Sequence, residues 1–186
     1  MAHYFIAFSL PEELKHFYHR WQKELQAQLS YRKWMHPEDL HITLKFLGEA
    51  EEAAMDALKE KINQTLLPKS FIIELGAIGV FGQESRPRVL WVGVHLSETL
   101  RKLQGLLEQA AAETGFAKEK RMYRPHLTLA KKWEEGAFIT PEKLHMIQNQ
   151  FNEAKQFHLQ DVVIYKIHPQ QKPSYEKVAV FPLKMK

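Results

Sequence analysis

Two short stretches of the chain carry side chains able to do chemistry together. His41-Ile42-Thr43-Leu44 and His126-Leu127-Thr128-Leu129 are both His-x-Thr-Leu, and they lie 85 residues apart. Each sits in an apolar run that reads as a strand. Strand side chains alternate between faces, so His41 shares a face with Thr43, and His126 with Thr128. The leucines and Ile42 fall on the opposite face and are expected to anchor each motif in a core. What remains presented is an imidazole beside a hydroxyl, twice. Two imidazoles with ordinary pKa near 6.5 can be held one neutral and one protonated. The neutral one takes a proton from a nucleophile and the protonated one gives a proton to a leaving oxygen. Two hydroxyls can hydrogen-bond the non-bridging oxygens of a phosphoryl group. This set needs no metal, and the repeat leaves the division of labour between the histidines open.

Composition narrows the alternatives. The chain has 186 residues, 45% of them apolar, enough for one unit with a substantial core. It has ten histidines and no cysteine, which removes thiol nucleophiles, disulfides and Cys-ligated metals. There is no His-Glu-x-x-His and no P-loop, and His16 and His19 have no further ligand near them, so neither a metal nor a cofactor is expected. A net charge of +4 permits a phosphate-bearing partner without proving one. No apolar run approaches a membrane span, and the start of the chain runs straight into a strand pattern. A cytoplasmic protein with no membrane partner and no obligate protein partner is expected.

The elements that must position the motifs repeat. Pro11, Glu12 and Glu13 open a helix with Leu14, Phe17, Trp21 and Leu25 on one face. Ser97 is a fitting N-cap for a second with Leu100, Leu103, Leu107 and Ala111. Thr140-Pro141 opens another, expected to hold Leu144, Ile147, Phe151 and Ala154. Strands are predicted over 40–47, 71–80, 88–96, 124–131, 157–167 and 175–183, with Gly76 and Gly79 as bulges or bends. Leu14 and Leu100, Leu58 and Leu144, and Phe71 and Phe157 are each 86 residues apart. The expected fold is α+β, one unit over 1–186, with repeats of about 1–87 and 88–174 and a closing strand over 175–184. Two pseudo-twofold-related lobes should each hold a mostly antiparallel sheet with helices outside, and a groove between them should bring His41 and His126 face to face.

At this point the residues resemble a known family. The paired motifs look like those of the 2H phosphoesterase superfamily, and their surroundings look like its bacterial RNA 2′,3′-cyclic phosphodiesterases, the LigT-like or ThpR-like proteins. The stretches that carry the likeness are 40–49, with Leu40-His41-Ile42-Thr43-Leu44-Lys45-Phe46-Leu47-Gly48-Glu49, and 123–130, with Tyr123-Arg124-Pro125-His126-Leu127-Thr128-Leu129-Ala130. The resemblance implies opening of a 2′,3′-cyclic phosphate at an RNA end to leave a 2′-phosphate. It implies His41 as proton donor, His126 as proton acceptor, and Thr43 and Thr128 as phosphate holders. It also implies a capacity to join RNA ends through a 2′–5′ bond. Relatives often carry arginine five residues after the second motif histidine, where this chain has Lys131. Lysine keeps the charge and loses the bidentate fork.

Further substrate contacts are sought among Lys131, Arg124, Tyr123 and Lys45. By strict alternation Lys45 shares the face of His41, whereas Lys131 points away from His126 unless the strand bulges. Phe46 falls on the aliphatic side and is expected in the core. Two alternatives keep the fold: a phosphodiesterase for small cyclic phosphates, and a module that binds RNA ends without cutting them.

Overall fold

The computed structural model describes residues 2–185; Met1 and Lys186, the ends of the expected unit, lie outside the described residues. The first half runs β1 (Ala2–Ser9), α1 (Glu12–Gln26), β2 (Tyr31–Trp34), β3 (His41–Ala50), α2 (Glu52–Gln64) and β4 (Phe71–Gln83). The second runs β5 (Arg86–Val94), α3 (Glu98–Glu113), β6 (His126–Trp133), α4 (Pro141–Gln150), β7 (Lys155–Leu159), β8 (Asp161–Ile167) and β9 (Tyr175–Pro182). One antiparallel sheet has the order β7-β4-β5-β6-β3-β1-β8-β9, and β2 pairs with β6 off that path. No helix is long and apolar enough to cross a membrane among the described residues.

The helices begin where their caps allow. Ser97 Oγ accepts from the Leu100 amide, and Thr140 Oγ1 accepts from the Lys143 amide. In α1 the deepest stripe is Leu14, Tyr18, Trp21 and Leu25, with Tyr18 rather than Phe17 fully buried. The predicted fourth helix overran its end: Phe151 is the cap, at φ −111° and ψ 65°, and Ala154 lies beyond it. The predicted strand over 157–167 is two strands, because β7 pairs with β4 while β8 crosses to pair with β1. The short strand β2 carries little periodicity and was not predicted from sequence.

That crossing shapes the molecule. Gln22 of α1 donates to the Leu129 carbonyl of β6, and Trp21 packs on Phe151 at the end of α4. Helix α3 lies on β3, and α2 lies on α3 and β9. So β3, β1, β8 and β9 share α2 and α3, whereas β6, β5, β4 and β7 share α1 and α4. Each sequence repeat thus contributes strands to both halves of the sheet. The halves meet at a single register pair, Ile42 with Leu127, both fully buried on the helix side. Burying these aliphatics, each worth roughly 1.5–3 kcal/mol, fixes the seam from below and leaves the motif histidines on the opposite face.

Candidate active site

The seam pair places each histidine beside the other motif. One step either side of Ile42 and Leu127 stand His41 and Thr43 on β3, and His126 and Thr128 on β6. Both imidazoles are held the same way. His41 Nδ1–H donates to the Asp39 carbonyl at 2.7 Å, and His126 Nδ1–H donates to the Arg124 carbonyl at 2.7 Å. A carbonyl only accepts, so each ring carries its proton on Nδ1 and turns Nε2 toward the open face. The Thr43 hydroxyl is 3.1 Å from His41 Nε2. Burial pushes the His41 pKa down to about 4, against the backbone bond, and the charges of Lys131 and His126 push the same way. His126 is lowered too, by burial first and then by Arg124 and Lys131.

Two equivalent bulges decide what else faces the site. In β3, Ile6 pairs with Lys45 and Ala7 with Thr43, so Leu44 is the extra residue. In β6, Leu90 pairs with Ala130 and Trp91 with Thr128, so Leu129 is the extra residue. Leu44 and Leu129 follow the motif threonines, and an inserted residue resets the alternation beyond it. Two expectations change as a result. Lys45 does not share the face of His41: it is 4% exposed on the helix side, where Nζ donates to Glu108 Oε1 at 2.8 Å and to the Ala117 carbonyl at 2.6 Å. Phe46 is not in the core: it is 62% exposed, opposite Phe5 on the histidine face. The same reset brings Lys131 onto the histidine face, where its charge reaches both imidazoles. Burial lowers the Lys131 pKa, and the charges of Lys33 and Lys132 add to that.

The other residues divide clearly. Arg124 is exposed, with its guanidinium 5.5 Å from the Phe81 ring centroid. Phe81 meets His126 edge-on at 5.0 Å. Tyr123 donates its hydroxyl to the Thr43 carbonyl at 3.0 Å and so ties the second motif's approach to the first motif. Gly79 is not a bend: a Cβ there would stand 2.2 Å from Trp91 Cη2, so the indole lies across its bare backbone. Gly76 does lie in a bulge, between Leu75 and Ile78. Among the described residues no group of three or more His, Asp or Glu could hold a metal.

Sequence reasoning missed Asp39. Its carbonyl orients His41, while its buried carboxylate accepts from the Ser174 amide at 2.8 Å and the Tyr175 amide at 3.1 Å. Those bonds fasten the β8–β9 connection, so that the Tyr175 ring stands edge-on to His41 at 5.1 Å and Phe5 lies at 4.7 Å. The one available signal was position, since Asp39 and Arg124 each precede a motif histidine by two residues.

Comparison with known proteins gives the chain its family. The model of the 2′-5′ RNA ligase superfamily matches residues 10–171. A Bacillus subtilis protein named RNA 2′,3′-cyclic phosphodiesterase is 35% identical over 97% of this chain and 96% of its own length. One of the same name from Geobacillus stearothermophilus is 33% identical over 98% of this chain, which spans only 57% of that protein. Escherichia coli LigT, solved with 3′-AMP, superimposes with a TM-score of 0.80 at 22% identity, covering 98% of both chains. With a match across most of its length, and with both motifs seated at the seam of one sheet, the chain belongs to the 2′-5′ RNA ligase superfamily.

Proposed function

We propose that this protein hydrolyses 2′,3′-cyclic phosphate ends of RNA to 2′-phosphomonoesters, with its two motif histidines as acid and base and no metal. The observation that carries the reading is the pair of imidazoles on one sheet face, each locked through Nδ1 and each beside a threonine. The names of the Bacillus and Geobacillus relatives point to the same substrate. The reading places the reaction in the cytoplasm, on free RNA ends, without an obligate protein partner.

The resemblance to the 2H phosphoesterases assigns the two roles, with His126 as acceptor and His41 as donor. His126 Nε2 is the base: it takes a proton from water as the water oxygen attacks phosphorus. The P–O3′ bond breaks on the far side, and His41, protonated on Nε2, delivers that proton to O3′. The ribose lies on the side of the leaving oxygen and stays joined to phosphorus through O2′, and the exposed Phe46 on His41's half of the sheet offers its base an aromatic face. The Thr43 and Thr128 hydroxyls and the Lys131 ammonium serve the non-bridging oxygens. Arg124, exposed at the entrance, meets the phosphates of the strand, and Tyr123 holds the wall they pass.

The direct test is to incubate the protein, with a chelator present, with an oligonucleotide ending in a 2′,3′-cyclic phosphate. A 2′-phosphate product is expected; no product, or product only when metal is added, overturns the proposal. The pH dependence is a second expectation. The active form needs one proton on the pair, and burial holds both imidazoles below 6.5 in the free protein. Above the pair's upper macroscopic pKa both are neutral, so kcat/KM should fall with rising pH from a limb below about 6.5. The phosphate charge favours imidazolium once substrate is bound, so the alkaline limb of kcat should lie at higher pH than that of kcat/KM. Coincident limbs would contradict this.

A further inference from the structure

A cavity of about 630 Å³ opens beside the catalytic seam, lined among others by Glu74, Gly76, Gly93, His95, Lys155 and Gln156. Its volume falls within the roughly 300–1,000 Å³ of small-ligand sites. Gly93 is the register partner of His126, so the two share a face and the cavity starts one strand, about 5 Å along the sheet, from the His126 main chain. From there it extends across β4 to the start of β7.

The floor is bare main chain. Gly76 lies in the bulge opposite Gly93, and bulges next to active sites re-aim what surrounds them. A Cβ on Gly76 would meet nothing within 4 Å, and one on Gly93 would meet only ordinary contacts at 3.5 Å, to the Ala77 carbonyl and to Trp91. Neither glycine stands in the left-handed region. Internal packing therefore demands glycine at neither place, whereas a flat ligand lying close on the backbone would.

The wall is polar and carries one carboxylate, that of Glu74. Glu74 and Gln156 are register partners, so both exposed side chains stand on this face. Lys155 pairs its ammonium with Glu153 and holds it 4.3 Å from the Phe17 ring centroid on α1, so it makes no ion pair with Glu74. A carboxylate repels a phosphodiester and accepts from an exocyclic amine, the contact by which acidic side chains select cytosine.

We propose that this cavity is a subsite for a second nucleobase of the RNA strand, that of the nucleotide preceding the cyclic-phosphate end, and that it favours a base with an exocyclic amine. The base lies on Gly76 and Gly93 with its amine toward Glu74 and Gln156, while its phosphate stays on the Lys131 and Arg124 side. Uracil, which puts a carbonyl oxygen where cytosine has its amine, is disfavoured. The inference rests on the cyclic-phosphodiesterase reading and adds to it a length and base preference.

The test uses three substrates: cytidine 2′,3′-cyclic phosphate, and the dinucleotides CpC and UpC ending in the same group. The wild-type protein should show kcat/KM at least roughly fivefold higher for the CpC substrate than for the UpC substrate. Gly76→Leu fills open space, so it should abolish the dinucleotide preference and leave the mononucleotide rate unchanged. Glu74→Gln, which adds no bulk, should flatten the difference between C and U. Equal wild-type rates on the two dinucleotides, or a Glu74→Gln variant with the preference intact, would overturn the subsite. A wild-type protein that cleaves the mononucleotide but shows no preference fails only this inference. One that cleaves none of the three fails the phosphodiesterase reading and the subsite with it.

Discussion

His41→Ala and His126→Ala should each lower kcat on a cyclic-phosphate RNA end by at least roughly 100-fold, the lower range for loss of a general acid or base. KM should change far less, because Thr43, Thr128 and Lys131 remain to hold the phosphate. The double variant should be little worse than either single one, since acid and base act as a unit. The residual pH dependence identifies the roles. Without His126 the surviving requirement is a protonated His41, so the remaining activity should only decline as pH rises. Without His41 the surviving requirement is a neutral His126, so activity should rise with pH and level off. The opposite pattern would exchange donor and acceptor. Near-normal activity in either variant would remove that residue from the reaction.

The largest effect on stability is expected from Lys45→Met. The ammonium is buried among Glu108, whose side chain is 17% exposed, and the Ala117 carbonyl. Glu108 also accepts from the Glu119 amide at 2.8 Å. Removing the cation leaves a carboxylate and a carbonyl in a dry environment, at a cost of about 3 kcal/mol or more. The segment so fastened leads into Arg124, whose carbonyl orients His126, so activity should fall together with the urea midpoint. Were Lys45 a substrate contact instead, the variant would keep its midpoint and raise KM.

Both experiments bear on how much could be read without coordinates. The two His-x-Thr-Leu motifs, their equivalence at an offset of 85, and the helix caps at Ser97 and Thr140 are all legible in residue types and spacing. Such features are local: a cap is one side chain on a nearby amide, and alternation within four residues needs only a strand. The contacts through Asp39 were not legible, because the carbonyl that orients His41 leaves no trace in residue type and the amides its carboxylate holds, at Ser174 and Tyr175, lie far along the chain. Nor was the exchange of strands at Gln160, where β7 and β8 part to serve different halves of the sheet.

Lys45, Phe46 and Lys131 show the boundary most sharply. Alternation from the motif histidines puts the first on the reactive face and the other two behind it, and the structure reverses all three. One extra residue in each strand, Leu44 and Leu129, accounts for the reversal. Which residue becomes extra is set by the register of β1 against β3 and of β5 against β6, a property of two strands that neither strand's own sequence holds. The sequence by itself thus singled out the two His-x-Thr pairs that meet at the seam of the sheet. Only the tertiary structure decided what surrounds them, because a bulge is fixed by pairing across the sheet.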